Sequence, residues 1–273
     1  MKKLHILFIF CILSFTTSTQ AQEGWELGGW LGGAHYFGDL NTTFSLKSPG
    51  LAAGIVARYN FNERLCLKFS GNYIKISADD ADSDNSFERV RNLNFKSDIL
   101  DATFQFEFNF LPYIHGSKDE FYTPYLFAGF TVLNFNPKTT FEDEVIELRT
   151  LGTEGQFRGE EYYSISGGLA YGVGIKFDLS YRWSINIELS GRKIFTDFLD
   201  DVSGTYPDLD DLEALRGPVA VALSDRSISG EGNSFLGEEG RQRGNGRDND
   251  TYATLGVGIV YYFGSLRCPP ITR

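Results

Sequence analysis

A strict two-residue alternation runs through residues 100 to 110, "LDATFQFEFNF". Leu100, Ala102, Phe104, Phe106, Phe108 and Phe110 take turns with Asp101, Thr103, Gln105, Glu107 and Asn109. Neighbouring side chains of an extended strand point to opposite faces, so one face is apolar and the other polar. A soluble sandwich or lipocalin-like barrel turns the Phe face inward. An outer-membrane barrel turns it outward to lipid and keeps the polar face inside.

The same alternation recurs and predicts eight strands, at about 25–38, 50–61, 64–77, 97–110, 123–135, 164–178, 182–194 and 251–263. Connections 39–49, 78–96, 136–163 and 195–250 are long. Those around Asn60 to Arg64 and Leu179 to Arg182 are tight, and 111–122 is intermediate. Short and long connections alternating round an even number of strands are the pattern of a bacterial outer-membrane barrel, with its short turns in the periplasm.

The polar face decides which side is inside. In the sixth strand it reads Ser164, Ser166, Gly168, Ala170, Gly172, Gly174, Lys176, and in the last it includes Thr254, Gly256 and Gly258. A solvated surface favours long charged side chains, whereas eight strands enclose only enough room for side chains to fill. The small face therefore lines the lumen, and rows such as Leu65, Leu67, Phe69, Tyr73 and Trp183, Ile185, Ile187, Leu189 face lipid. The lumen then receives Glu26, Arg58, Lys68, Asp101, Glu107, Lys176, Asp178, Glu188 and Arg192. Such a near-balance of sign predicts an ion-paired plug rather than a pore. The fold class expected is all-β: an eight-stranded antiparallel transmembrane barrel with a polar, filled lumen and long extracellular loops.

The start of the chain, "MKKLHILFIFCILSFTTSTQAQ", has two lysines, a short apolar run and small residues before Ala21. It reads as a signal peptide over 1–21, leaving 22–273 as one barrel domain with a short periplasmic tail, 265–273. Cys11 lies inside the apolar run, the wrong place for lipidation. The formal net charge of −11, more negative once Lys2 and Lys3 are removed, argues against nucleic acid as a partner.

No motif for chemistry emerges, and the chain is expected to be no enzyme, with no cofactor and no small-molecule substrate. His35 falls in the lipid-facing register and His115 in the fourth connection. Asp80, Asp82 and Asp84 have the spacing of a calcium loop, but Asn85 and Arg91 stand where Gly and Glu are needed. A solvated acidic loop is the expectation there, with weak calcium binding left open. The glycine-rich stretches "GGWLGGAHYFG" and "GNGRDND" match no phosphate-binding motif. Cys66 and Cys268 remain after processing; pairing with each other, pairing with a partner and free thiols all stay open. In "FTDFLDDVSGTY", Thr196, Asp197, Asp200, Asp201 and Tyr206 are expected to close the extracellular rim through Asp bonds to backbone N–H groups. The stretch "DLDDLEALRGPVAVALSDR" beyond it has the composition of a short helix.

Taken together, "LGGAHYFGDLN", "RNLNFKS", "FEFNFLPY", "TPYLFAGFTVLNFNPKT", "LRTLGTEGQ" and "FTDFLDDVSGTY" resemble the PorG-like family of outer-membrane barrels of the type IX (Por) secretion system, linked to gliding motility. The likeness spans about Trp25 to Cys268. It implies a non-enzymatic barrel that anchors or contacts a periplasmic ring built by a lipoprotein and its partner. The alternative is a free-standing small outer-membrane barrel with a structural or surface-interaction role. Partners expected are outer-membrane lipids and, from the resemblance, the ring proteins, which the periplasmic turns and the tail with Cys268 would face.

Overall fold

The structure is a computed structural model and describes residues 23–43, 45–228 and 236–264. The expected signal peptide and the tail with Cys268 lie outside the described residues. Five strands come first: β1 Gly24–Phe37, β2 Gly50–Asn60, β3 Leu65–Asp79, β4 Asn94–Asn109 and β5 Tyr122–Asn134. A short hairpin follows, β6 Pro137–Phe141 and β7 Glu144–Glu147. Three more complete the wall: β8 Ile165–Asp178, β9 Trp183–Ile194 and β10 Thr251–Tyr262. The eight long strands pair antiparallel with their neighbours, and β1 pairs β10, with Trp30 opposite Gly258, so the sheet closes on itself. Closure removes the unpaired edges that an apolar membrane interior would not tolerate.

The wall strands begin and end within a few residues of the alternating segments. The loops depart further from expectation. β6 and β7 form a hairpin inside the fifth connection, turning at Glu142 (φ 49°) and Asp143 (φ 66°), and β6 continues the sheet beside β4. Paired left-handed residues are what a two-residue hairpin turn needs. The seventh connection carries two helices where one was expected. The third connection holds α1, Ser86–Arg91; the seventh holds α2, Leu209–Arg216, and α3, Pro218–Ser224. Gly217 (φ 91°) breaks the run, and Pro218, lacking an N–H, starts the next helix.

On β4, Phe104, Phe106 and Phe108 are exposed while Asp101, Thr103, Gln105 and Glu107 are buried. The outward apolar row runs from Leu65 to Tyr73 on β3 and from Leu100 to Phe108 on β4, matching the roughly 9–11 residues a tilted strand uses to cross a bilayer. At the turn end, outward aromatics pair across strands: Trp25 with Tyr59 at 5.2 Å and Trp183 with Tyr261 at 5.0 Å. Such rings mark the interface on the periplasmic side.

Towards the loop end the alternation inverts without any break in register. Ser70 and Asn72 point inward on β3, but the next inward residues are Ile74, Ile76 and Ala78, while Lys75 and Asp79 face out. On β4 the inward series Glu107, Gln105, Thr103, Asp101 continues as Ile99, Ser97 and Phe95, with Asp98 and Lys96 outside. Here water replaces lipid outside, and packed loops replace the polar filling inside. Leu40, Leu93, Leu148, Leu199, Val202 and Leu223 come down from the loops onto this apolar upper lumen.

Below that core, the Trp30 indole lies across the lumen and donates Nε1–H to Asn72 Oδ1 at 2.8 Å. Glycines opposite make room for it: a Cβ on Gly256 would lie 2.5 Å from Trp30 Cε3. Gly256→Val is therefore expected to destabilise the barrel by about 1–3 kcal/mol through overpacking, and by less when Trp30 is also Ala. Urea unfolding in detergent, followed by heat-modifiable migration, measures both.

Candidate functional site: a lumen closed at both ends

The eight-stranded wall brings charges from distant sequence positions into one narrow tube. Glu107 is fully buried towards its turn end. Arg58 Nε lies 2.8 Å from it, Lys176 Nζ 2.7 Å and Lys68 Nζ 3.7 Å. Arg58 also reaches Glu26 at 2.6 Å, Lys68 pairs with Glu188, and Lys176 sits 4.6 Å above the Tyr125 ring. Nearer the loops, Asp101 takes Arg192 Nε at 3.0 Å and accepts from Tyr252 Oη at 2.8 Å and from Asn72. Each charge thus meets opposite charge at close range, which offsets the large cost of removing it from water. A void of about 30 Å³ beside Trp30, Arg58, Lys68 and Glu188 is water-sized and no conduit for hydrated ions.

Two of the sequence candidates lie lower. Asp178 and Glu26 hold His115, which the fourth connection folds back into the mouth of the barrel. Its Nδ1 is 3.0 Å from Asp178 and its Nε2 is 3.1 Å from Glu26. The ring stacks on Tyr262 at 4.2 Å, and Tyr113 donates its hydroxyl to Asp178. Burial alone would depress the imidazole, but the hydrogen bonds and charges of Asp178 and Glu26 outweigh it and raise the pKa from 6.5 to about 9. Ser184 Oγ lies 3.3 Å from His115 Nδ1 and donates to Asp178 at 2.8 Å. Ser, His and Asp are together, but both ring nitrogens face carboxylates and the Ser184 hydroxyl donates to Asp178 rather than to His115, unlike the arrangement of a hydrolytic triad. Nothing in the sequence around His115 announces this stopper.

Cys66 is fully buried inside the wall, its Sγ 3.6 Å from Lys176 Nζ. A partner protein's thiol has no approach to it while the lumen stays packed.

At the other end the loops form a cap. Arg91 grips Asp80 through Nε and Nη2, both at 2.8 Å, and donates to the carbonyls of Asp39 and Arg243, so three loops meet on one guanidinium. Arg243 in turn donates to Glu154 at 3.1 Å and to the Asp201 carbonyl at 2.6 Å. Asp80 is thus buried and paired rather than solvated: Arg91, at the twelfth position of the calcium-like spacing, folds back onto the first. Asp82 and Asp84 stay at the surface near Ser48 and Lys47.

In "FTDFLDDVSGTY", Asp200, Asp201 and Tyr206 are buried deeply, and Asp197 nearly so. The Val202 N–H donates to Asp200 at 2.9 Å, an Asp bond to backbone, whereas the Phe198 N–H donates to Thr196 Oγ1 at 3.3 Å. Asp201 instead accepts from the side chains of Thr153 at 2.6 Å and Tyr162 at 2.7 Å. The Tyr36 hydroxyl contacts Asp200 at 2.5 Å and Asp250 at 2.8 Å. One phenolic proton serves one of them, so the other contact needs a proton from the carboxyl pair. Burial and the neighbouring Asp250 push Asp200 well above the carboxylate range, and burial lifts Asp250 to about 7.

Two outcomes test this arrangement. Glu107→Gln leaves Arg58 and Lys176 without their shared countercharge and is expected to cost about 3–5 kcal/mol, read as a lowered urea midpoint. The raised His115 value contributes stability in full below pH 6.5, and that contribution is lost as pH rises through about 9. The raised Asp250 acts in the same direction through about 7. The melting temperature should therefore fall as pH rises from 3.8 to about 9, and His115→Gln should flatten the upper part of that fall.

Solved structures of similar architecture include the outer membrane protein OprG from Pseudomonas aeruginosa, at 12% identity, covering 90% of this chain and 98% of that one, TM-score 0.45. Neisserial surface protein A matches at 12% identity over 88% of this chain and 97% of that one, TM-score 0.44. The N-terminal barrel domain of Pseudomonas aeruginosa OprF matches at 14% identity over 89% and 100%, TM-score 0.36. No curated protein matches the chain in sequence. A family described as a domain of unknown function, DUF6089, matches residues 2–221, and this small outer-membrane barrel belongs to it.

Proposed function

We propose that the protein is a non-enzymatic outer-membrane component of the type IX secretion and gliding machinery, anchoring or contacting a periplasmic lipoprotein ring. The observation that carries this reading is the lumen filled by ion pairs and stoppered by His115. A barrel that passes nothing works through its surfaces. The periplasmic rim offers one: Phe61, Leu111, Leu179 and Tyr181 are exposed on its three turns, Tyr181 at 66%. The family words in the sequence supply the identity of the partner. The geometry at His115, where both nitrogens face carboxylates, supports the non-enzymatic part.

The second reading is a free-standing barrel that presents its loops to the outside, favoured by the packed extracellular cap. Crosslinking in intact outer membranes, followed by pull-down of a tagged copy, separates the two. Ring lipoproteins are expected in the eluate, and Tyr181→Glu is expected to reduce them several-fold without loss of heat-modifiability. A lone, heat-modifiable monomer from crosslinked membranes would overturn the secretion reading and leave the barrel intact.

A further inference from the structure

We infer that the outer wall of β3, β4 and β6 carries a binding site for a phosphorylated lipid of the outer leaflet. The apolar band on this side ends at Tyr73 and Leu100. Facing outward above it stand Lys75 and Asp98, paired with each other, and then Lys96 and Lys138, in a groove of about 750 Å³ whose lining also holds Ser77, Thr140 and the acids Asp79 and Asp82. The polarity inversion of β3 and β4 places this groove at the level of lipid headgroups, one residue pair beyond the hydrocarbon.

The acids of the groove already have partners, Asp98 in Lys75, Asp82 in Ser48 and Asp79 in the Ala81 N–H, which leaves Lys96 open to an anion. Lys96 and Lys138 are direct cross-strand partners on β4 and β6. Like charges in that position repel unless something negative lies between or upon them. Lys138 has Glu147 at 3.4 Å and Lys75 has Asp98 at 3.8 Å, both exposed pairs that contribute little and exchange readily. Lys96 has no ion pair among the described residues. Of the other wall lysines, Lys68 and Lys176 point into the lumen and Lys193, on β9, donates to the carbonyl of Asn249, while the chain as a whole is acidic. A protein of net negative charge set among anionic headgroups gains from a local cationic contact with them.

The wall beneath suits the rest of such a lipid. Outward Gly71 lies opposite Ala102 on β4 and Ile55 on β2, making a shallow apolar depression between Phe69 and Phe104. Phosphate would sit in the groove, ligated by Lys96 and Lys138, with acyl chains running down over Gly71 and Ala102. A soluble phosphate has no use for the lower half, and a neutral lipid none for the upper.

The test uses the full barrel in detergent, with native mass spectrometry reading bound lipid during titration with bisphosphorylated lipid A, dephosphorylated lipid A, phosphatidylglycerol and inorganic phosphate. Bisphosphorylated lipid A should bind about thirtyfold tighter than the dephosphorylated form, in line with about 1 kcal/mol for each of two surface lysines. The double variant Lys96→Gln/Lys138→Gln should lose that preference while remaining heat-modifiable, and Lys118→Gln, on the periplasmic turn, should keep it. Equal binding of phosphorylated and dephosphorylated lipid by the unaltered protein would overturn the site, and needs no variant. So would a preference that survives in the double variant, or equally tight binding of phosphatidylglycerol or inorganic phosphate.

Discussion

Charge pairing in a narrow, enclosed space is the constraint on which this molecule rests. With lipid outside, the polar half of each alternating strand has nowhere to point except into the lumen, and eight strands leave a space that side chains nearly fill. The inward charges therefore satisfy one another. Glu107, touched by Arg58, Lys176 and Lys68, is the joint of that network, because the positions it ties together belong to β2, β3, β4 and β8. The wall's closure and the filling's neutrality depend on each other: neither a half-closed sheet nor a half-paired lumen is tolerable in hydrocarbon.

The inversion of polarity along β3 and β4 extends the same logic past the membrane. Once the outer medium is water, an apolar exterior is no longer stable and an apolar interior becomes so. The strands keep their register and exchange the roles of their faces. That allows one continuous sheet to serve as a lipid-facing wall below and as the shell of a water-facing domain above, whose core the long loops complete. Arg91 and Arg243 then seal that domain by satisfying loop carbonyls and carboxylates that would otherwise be buried without partners.

The wall was legible because its signal is local and periodic: residues 100 to 110 state their own pairing geometry. The sign of the faces was legible too, from the small residues of β8 and β10. The stopper was not. His115 acquires its role from Glu26 and Asp178, 89 and 63 residues away, and nothing in "YIHGSKDE" signals either. The fate of Asp80 was hidden for a related reason, since a spacing that suits calcium is equally the spacing of a short turn gripped by an arginine eleven residues on. The hairpin of β6 and β7 left a weak trace, with Glu142 and Asp143 lacking the glycine or asparagine that usually marks such a turn. The inversion itself is written in the sequence as a change of phase between Phe69 and Ile74, readable once alternation is scored for phase as well as for period.

The cap has a consequence for the order of assembly. Its keystones join the first, third and seventh connections, and Arg91 meets the carbonyl of Arg243 across 152 positions of chain. No single hairpin contains enough of that core to hold itself together, so the domain has no earlier stage in which it exists as a piece. Each loop hangs from its own pair of strands and finds the rest of its core only in the other loops. Only when β10 has found β1 do all the parts share one compartment. The extracellular domain is thus a fold that records its own delivery: wherever it is found intact, the whole barrel beneath it has already closed.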